Sequence, residues 1–549
     1  MEKIEKFVAK YYLAIIILGS IPAILALFVE GYYGASDDLH VAWLGLFNET
    51  VKLGQFPPRY VPSLSFGFGY PLFNFVFPLP FYIGEIFVLL GFGLVGSIKS
   101  VFVVSFVASS IVMYKFLRTL VKPLVSLAGA VVYLYAPYRA TEVYVRGAVG
   151  EALSFVFLPL LFLGFVKILK NETKKGICLT ALALAFLILS HNIVSYMFLG
   201  FLVLALVFFR QKFVQIITAG ILGLVGSSFF WVPALLESNL VKYDTVFSYF
   251  DHFPTLKQLI TPYFGYGASV PGPGDGMSFF LGGINILLVL TSTYVLIKSF
   301  RRKLDLSKTF LLFSFAAFLI SVFMMNHRSS VVWDALPLLP YFQFPWRFLT
   351  ATTFFTTLMV ISLSRVKKSG VLALFILVFV VVLNFSFFKP QDNLGRGDDY
   401  YLTRYTTLNG TSPEYKSTKE EYLRLPENSE ARPATLYPDF YGDNIIVLSN
   451  TKMNLLEYKA LVKSNGGVVS VNKYYFPGWE VNVDGQKVDI VSGQPFGQIS
   501  FDIPAGEHTL HYFYSEPLYK RLLDVVSFAT LLSLMLILVS KDAKKDSQN

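Results

Sequence analysis

Long apolar runs alternate with short basic clusters along most of this chain. The runs read as twelve bilayer-crossing helices, 11–29, 101–117, 122–137, 150–168, 176–190, 193–209, 214–236, 279–297, 309–325, 347–363, 369–388 and 519–539, since a crossing takes ~20 apolar residues. The basic clusters fall at every second junction: Lys3/Lys6/Lys10, Lys115/Arg118/Lys122, Lys167/Lys170/Lys174/Lys175, Arg210/Lys212, Lys298/Arg301/Arg302/Lys303, Arg365/Lys367/Lys368 and Lys541/Lys544/Lys545. Lys and Arg are retained on the cytoplasmic side. All seven clusters therefore lie inside, as do both termini.

One further run, 71–96, breaks this parity. If it crossed, every later cluster would face outward. It carries Pro71, Pro78 and Pro80 and ends Gly91-Phe92-Gly93. Internal prolines remove helix hydrogen bonds, so the run is expected to be broken, re-entrant or juxtamembrane on the outer side. The pattern changes again over 389–518, where apolar stretches become short and alternating. Val481 to Ile490 predicts a hairpin about Asp484-Gly485. Ile499–Ile503 and Thr509–Tyr514 predict two more strands, joined by Pro504-Ala505-Gly506-Glu507. The expected architecture is a polytopic α-helical membrane domain over 1–388, a small extracytoplasmic β-sandwich over 389–518, and a final helix with a cytoplasmic tail over 519–549.

Composition supports the membrane class. Of 549 residues, 54% are hydrophobic and 15% charged, with mean hydropathy +0.57; a soluble domain could not hide so much apolar surface. The net charge of +10 then reads as orientation, not as affinity for nucleic acid. Cys178 is the single cysteine, so no intrachain disulfide forms.

This topology gathers the polar and aromatic loops on the outer face. Asp37, Asp38 and His40 follow the first span. Ser36 or Asp37 is expected to cap a helix starting there, but a cap needs one residue, not two carboxylates and an imidazole. Tyr138-Arg139 and Arg146 with Glu151 bracket a helix start, a place suited to a phosphate or to a plain Arg–Glu pair. His191-Asn192 lies at a turn between spans. Arg347, beside Trp346, begins another span and either snorkels or meets an anionic headgroup. No nucleotide-binding glycine loop and no His-Glu-x-x-His motif occurs. An outer-face enzyme would then draw on a lipid-linked activated substrate.

The order of these motifs resembles a known family. Asp37-Asp38-Leu39-His40, Gly54-Gln55-Phe56-Pro57-Pro58-Arg59-Tyr60 and Gly67-Phe68-Gly69-Tyr70-Pro71-Leu72-Phe73, followed by Tyr138-Arg139, Arg146 with Glu151, and His191-Asn192, are similar to GT-C integral-membrane glycosyltransferases. The subgroup is labelled "6-pyruvoyl-tetrahydropterin synthase-related", and nothing in the sequence calls for pterin chemistry. The stretch from Tyr474 to His508 resembles the outer domain of YfhO-like membrane proteins. The resemblance implies transfer of a sugar from a polyprenyl phosphate or diphosphate to a glycan or protein acceptor at the outer face of the cell membrane. It implies Asp37 or Asp38 as catalytic base. His40, Arg59, Arg139, Arg146, Glu151, His191, Asn192 and Arg347 are then substrate contacts, with Arg146 and Arg347 on the phosphate leaving group. Some relatives use a divalent metal, for which Asp38 and Glu151 are the candidates here. Two competing readings are a flippase for lipid-linked glycans and a non-catalytic scaffold. A transporter should show repeat symmetry and mid-membrane charges. In the scaffold reading Asp37 and Asp38 tolerate change.

Overall fold

A computed structural model describes residues 1–242, 248–407, 410–413, 415 and 423–540. Asn409 of one glycosylation sequon and the basic cluster Lys541/Lys544/Lys545 lie outside the described residues. Among the described residues, eight helices are long and apolar enough to cross a membrane: Glu2–Phe28, Leu94–Leu117, Val149–Leu169, Thr173–Ser190, Leu306–Met324, Pro345–Arg365, Ser369–Phe387 and Leu518–Val539. Three shorter apolar helices, Leu79–Leu89, Pro123–Leu134 and Gly283–Lys298, accompany them. Helices Asn192–Phe208 and Arg210–Gly226 meet at a bend of 102°, where the sequence pattern predicts two separate spans.

Burial ranks these helices. The apolar stretch of Pro345–Arg365 is 94% buried and that of Val149–Leu169 is 72% buried, against 17% for Leu518–Val539 and 22% for Ser369–Phe387. Val149–Leu169 is apolar on nearly every face, which suits a helix surrounded by helices. Pro345–Arg365 is buried although it carries Thr352, Thr356 and Thr357, whose hydroxyls bond to backbone carbonyls of the same helix. Phe162 lies within 5.5 Å of Phe313 and 5.3 Å of Phe354, ring centre to ring centre. The last helix is peripheral.

The run over 71–96 divides into Leu72–Phe75, Leu79–Leu89 and the start of Leu94–Leu117. Prolines at 71, 78 and 80 mark the breaks. Eleven helical residues in Leu79–Leu89 rise only about 16 Å, roughly half the hydrocarbon thickness.

Nine strands are described. β1 (Tyr32–Tyr33) pairs antiparallel with β2 (Asn393–Arg396), so the chain beyond the seventh of the eight long helices returns to the loop that follows the first. The others are β3 (Phe440–Tyr441), β4 (Ile445–Asn454), β5 (Glu457–Tyr474), β6 (Trp479–Val483), β7 (Gln486–Val488), β8 (Val491–Gly493) and β9 (Gln498–Tyr514). They form one seven-stranded antiparallel sheet in the order β3-β5-β9-β6-β7, with β4 also on β5 and β8 on β9. The β6–β7 hairpin turns at Asp484 (φ 52°) and Gly485 (φ 82°), the positive-φ pair of a type I′ turn. One expectation is corrected: Ile499–Ile503 and Thr509–Tyr514 are a single strand, β9. Pro504, which has no N–H to give, falls in the register opposite Gly466 of β5, between the pairs Ile503–Gly467 and Ala505–Asn465. The strand tolerates Pro504 because β8 pairs β9 only at Gln498–Ser500 and β6 only at Leu510–Tyr514, which leaves Pro504 on an edge of the sheet.

The sheet sits on the loop segment 59–70. Tyr474 N donates to Phe68 O at 2.9 Å, and the Lys473 ammonium donates to Gly67 O. Tyr60 stacks on Tyr514 at 4.8 Å and meets Trp479 edge-on at 5.6 Å. Ionic contacts dock the last helix. Arg59 reaches Asp524 at 2.6 Å and Glu516 at 3.1 Å. Glu237 pairs with Lys520 at 2.7 Å and accepts from Tyr519 and Asn74.

Candidate functional site

The acidic motif is held in place by backbone hydrogen bonds to a distant segment. Ser36 N donates to Val145 O at 3.3 Å and Asp37 N to Arg146 O at 2.7 Å. His40 Nδ1 lies 3.3 Å from Gly147 O, an acceptor that fixes the proton on Nδ1. Residues Thr141–Arg146 form a π-helical turn, closed by Gly147 at φ 70°. Such turns are rare and recur at functional sites. A Cβ on Gly147 would lie 3.0 Å from Ala35 Cβ and 3.2 Å from Tyr32 Oη, so both the turn and the close approach of the first loop require glycine there. The expected side-chain cap does not form. Helix His40–Lys52 starts from Leu39 with no capping side chain, and Ser36 Oγ faces Arg146 O instead. That leaves the Asp37 carboxylate available.

Asp37 joins a buried ionic cluster. Its Oδ2 lies 3.5 Å from Arg146 Nη2; the Arg146 side chain is 8% exposed, that of Asp37 35%. Arg146 Nη1 also reaches Glu142 at 2.7 Å and Glu151 at 2.9 Å. Glu151 in turn faces Arg347 Nε at 3.5 Å and His191 Nε2 at 3.6 Å. His191 Nδ1 accepts from Val194 N at 3.3 Å, which puts the ring proton on Nε2, toward Glu151. Arg347 Nη2 donates to Gln343 at 3.3 Å, while its buried Nε and Nη1 make no hydrogen bond. The Arg146 guanidinium lies 4.9 Å from the Trp346 ring, and Trp346 Nε1 is held by Ser269 Oγ at 3.1 Å. Phe77, from the broken 71–96 run, packs against both His191 (5.0 Å) and His40 (6.2 Å).

Three carboxylates thus face two guanidiniums. Burial pushes the Glu142 carboxyl up from its usual value, opposed by Arg146 and helped by Glu151. With Glu142 neutral the cluster balances, two charges of each sign, which satisfies the requirement that buried charges be paired.

Asp38 points elsewhere. Its carboxylate takes Arg396 Nη1 at 3.1 Å and Tyr405 Oη at 3.3 Å. Both partners come from the segment that follows Ser369–Phe387. Burial raises the Asp38 pKa, and Arg396 pulls it back. Burial likewise lowers that of His40.

Besides Asp38 and His40, three sequence candidates stand outside the cluster. Arg59 is spent on Glu516, Asp524 and Phe229 O (2.9 Å), locking the last helix. Arg139 is 1% exposed, enclosed by Phe155, Phe106 and Tyr133 and bonded to Ser109 Oγ at 2.8 Å. Asn192 Nδ2 reaches Phe75 O at 3.3 Å, beside the cluster. Asp38 and Glu151 spend their oxygens on different guanidiniums. Among the described residues no three His, Cys, Asp or Glu side chains group as metal ligands. Sequence reasoning missed Glu142, Arg396 and Tyr405. The Glu142–Arg146 spacing of four was a readable signal; the other two are more than 350 residues from Asp38, with no local signal.

Comparison with known proteins fits this picture. A family described as "6-pyruvoyl-tetrahydropterin synthase related domain; membrane protein" matches residues 73–389. The chain belongs to this family. That span carries Glu142, Arg146, Glu151, His191 and Arg347, while Asp37 and Asp38 precede it. An uncharacterised protein of Lactococcus lactis subsp. cremoris (strain MG1363) is 25% identical over 259 residues, 43% of this chain and 41% of the relative; the match therefore spans under half of that relative's length. Among solved structures, the arabinofuranosyltransferase AftD from Mycobacteria is similar over 70% of this chain and 27% of its own, with TM-score 0.45 and 15% identity.

Proposed function

We propose that this protein is a membrane glycosyltransferase that moves a sugar from a polyprenyl-phosphate carrier to an acceptor at the outer membrane face, the sheet domain lying outside and the N-terminus in the cytoplasm. The observation that carries this reading is the meeting of Arg146 and Arg347 on Glu151, immediately behind the partly exposed Asp37. Two guanidiniums suit a phosphate, which takes planar, paired N–H donors. The Nη1 of Arg347, which makes no hydrogen bond, is a donor that an incoming phosphate would satisfy. A carboxylate at the edge of that anion site suits a base.

In the step proposed, Asp37 takes the proton from the acceptor hydroxyl as its oxygen bonds to the anomeric carbon. The bond from that carbon to the carrier phosphate breaks, and its electron pair leaves on the phosphate. Arg146 and Arg347 hold the charge that develops there. Trp346 and Glu151 fix the two guanidiniums, so little reorganisation is needed. Asp38, bound to Arg396 and Tyr405, is assigned the positioning of the loop that carries Asp37.

The test is reconstitution of the purified chain in vesicles with a panel of polyprenyl-monophosphate hexoses and pentoses, and a cell-envelope glycan extract as the hydroxyl acceptor. The expected result is release of polyprenyl phosphate from at least one donor, reduced about 10²–10³-fold in Arg347→Gln, the scale of losing one preorganised charge donor. No release from any donor by folded protein, or release indifferent to Arg347→Gln, overturns the reading.

A further inference from the structure

At the membrane face opposite the sheet domain, a groove of about 430 Å³ opens between Thr173–Ser190, Phe213–Gly226 and Leu518–Val539. Lys174, Ile177, Cys178, Leu222, Ala529 and Thr530 are among its lining residues. Its position follows from the helices. Thr173–Ser190 ends beside His191 of the ionic cluster, so Lys174 marks the other end. The last helix starts next to β9 and runs away from it. The groove is partly open to the outside of the helix bundle.

Water is a poor occupant. The lining is mostly carbon, and the Thr530 hydroxyl already donates to Val526 O at 2.7 Å; a buried water needs two to four polar partners. An empty groove forfeits dispersion contacts along its walls. Its volume is near three times that of a cavity of roughly 150 Å³ that accepts a benzene ring. The mouth is basic. Lys174 is exposed there, close enough for its charge to act on Cys178. Lys212 donates to Asn171 at 2.9 Å, which places a second ammonium at the same corner. The neighbouring acid, Glu172, is already paired with Lys167 at 2.6 Å. The last helix has little else to hold it here. It packs on a small separate core, Cys178, Ala181, Leu182, Ala185, Leu531 and Leu534.

We propose that this groove binds an anionic glycerophospholipid of the leaflet opposite the sheet domain, one acyl chain lying between the three helices and the phosphate on Lys174. Basic pockets between membrane helices take such headgroups. The bound chain fills the gap between the last helix and the bundle. The site is separate from the glycosyl-transfer reading and stands or falls without it.

The full-length protein in nanodiscs of phosphatidylcholine doped with phosphatidylglycerol is analysed by native mass spectrometry. One phosphatidylglycerol should stay with each wild-type chain. Ala529→Trp, which fills the groove, should lose it. Val203→Trp, at a lipid-facing position that is 64% exposed and off the groove, should keep it. Lys174→Gln, an exposed change that leaves packing intact, should lower the preference for phosphatidylglycerol about five-fold, the worth of one lysine near an anionic surface. Three results overturn the proposal: equal retention in Ala529→Trp and Val203→Trp, no change of preference in Lys174→Gln, or recovery of a polyprenyl phosphate in place of the phospholipid.

Discussion

Replacing Asp37 and Asp38 separately by Asn separates the roles assigned to them. Asparagine keeps the shape of the side chain and removes only its charge and basicity. For Asp37 the lost property is the proton acceptor. General-base catalysis contributes typically 10²–10⁴-fold, so Asp37→Asn should slow transfer by about 3–5 kcal/mol of activation energy at ~1.4 kcal/mol per decade. Stability should change little, because Asp37 is 35% exposed and its one ion pair is long, at 3.5 Å. Asp38 is the reverse case. It is 7% exposed, and its 3.1 Å contact to Arg396 loses its charge in Asp38→Asn. Arg396 is 31% exposed, which limits the pair to about 1 kcal/mol. The amide oxygen still accepts from Tyr405. Transfer should fall less than about ten-fold, with a small drop in thermal midpoint. The assay is initial rate of polyprenyl-phosphate release in vesicles, alongside thermal unfolding of the same preparations. An inactive Asp38→Asn beside an active Asp37→Asn reverses the assignment. Full activity in both removes the base from the mechanism.

Two other outcomes follow from the same geometry. Arg59→Met should destabilise the protein by about 3 kcal/mol, the low end for removing one partner of a buried ion pair, since Glu516 and Asp524 keep 20% and 14% exposure; transfer per folded molecule should be unchanged, and a selective loss of transfer without loss of stability would restore Arg59 as a substrate contact. Glu142 has its folded pKa raised by burial, so its neutral form is favoured and its contribution to stability is lost as pH rises from the unfolded value through the folded one. Ionisation also adds a third negative charge beside the phosphate site, so wild-type transfer should decline on the alkaline side and Glu142→Gln should keep transfer at neutral pH while extending it upward. An unchanged alkaline limb in Glu142→Gln counts against a neutral Glu142.

The sequence by itself determined the membrane class, the positions of most long apolar helices, the sheet before the last helix, and the residue types the site contains; it expected twelve crossings where eight helices are long and apolar enough among the described residues. These follow from local properties: apolar length, proline and glycine breaks, alternation of two, and the Asp484-Gly485 turn. Even so, Pro504 misled. Its effect on β9 depends on the partner strand, which local pattern does not name. The acidic motif and Arg146 were legible as separate candidates. Only the tertiary structure brought them together, through backbone bonds from residues 36–37 to 145–146. Only it divided the two aspartates, giving Asp38 to Arg396 and Tyr405 while Asp37 faces the guanidinium cluster. It also removed Arg59 and Arg139 from the site by enclosing each in other contacts. The reason is physical: a charge's partner is set by which chain segments pack within a few ångströms of it, and segments more than a hundred residues apart leave no mark of that proximity in a single sequence.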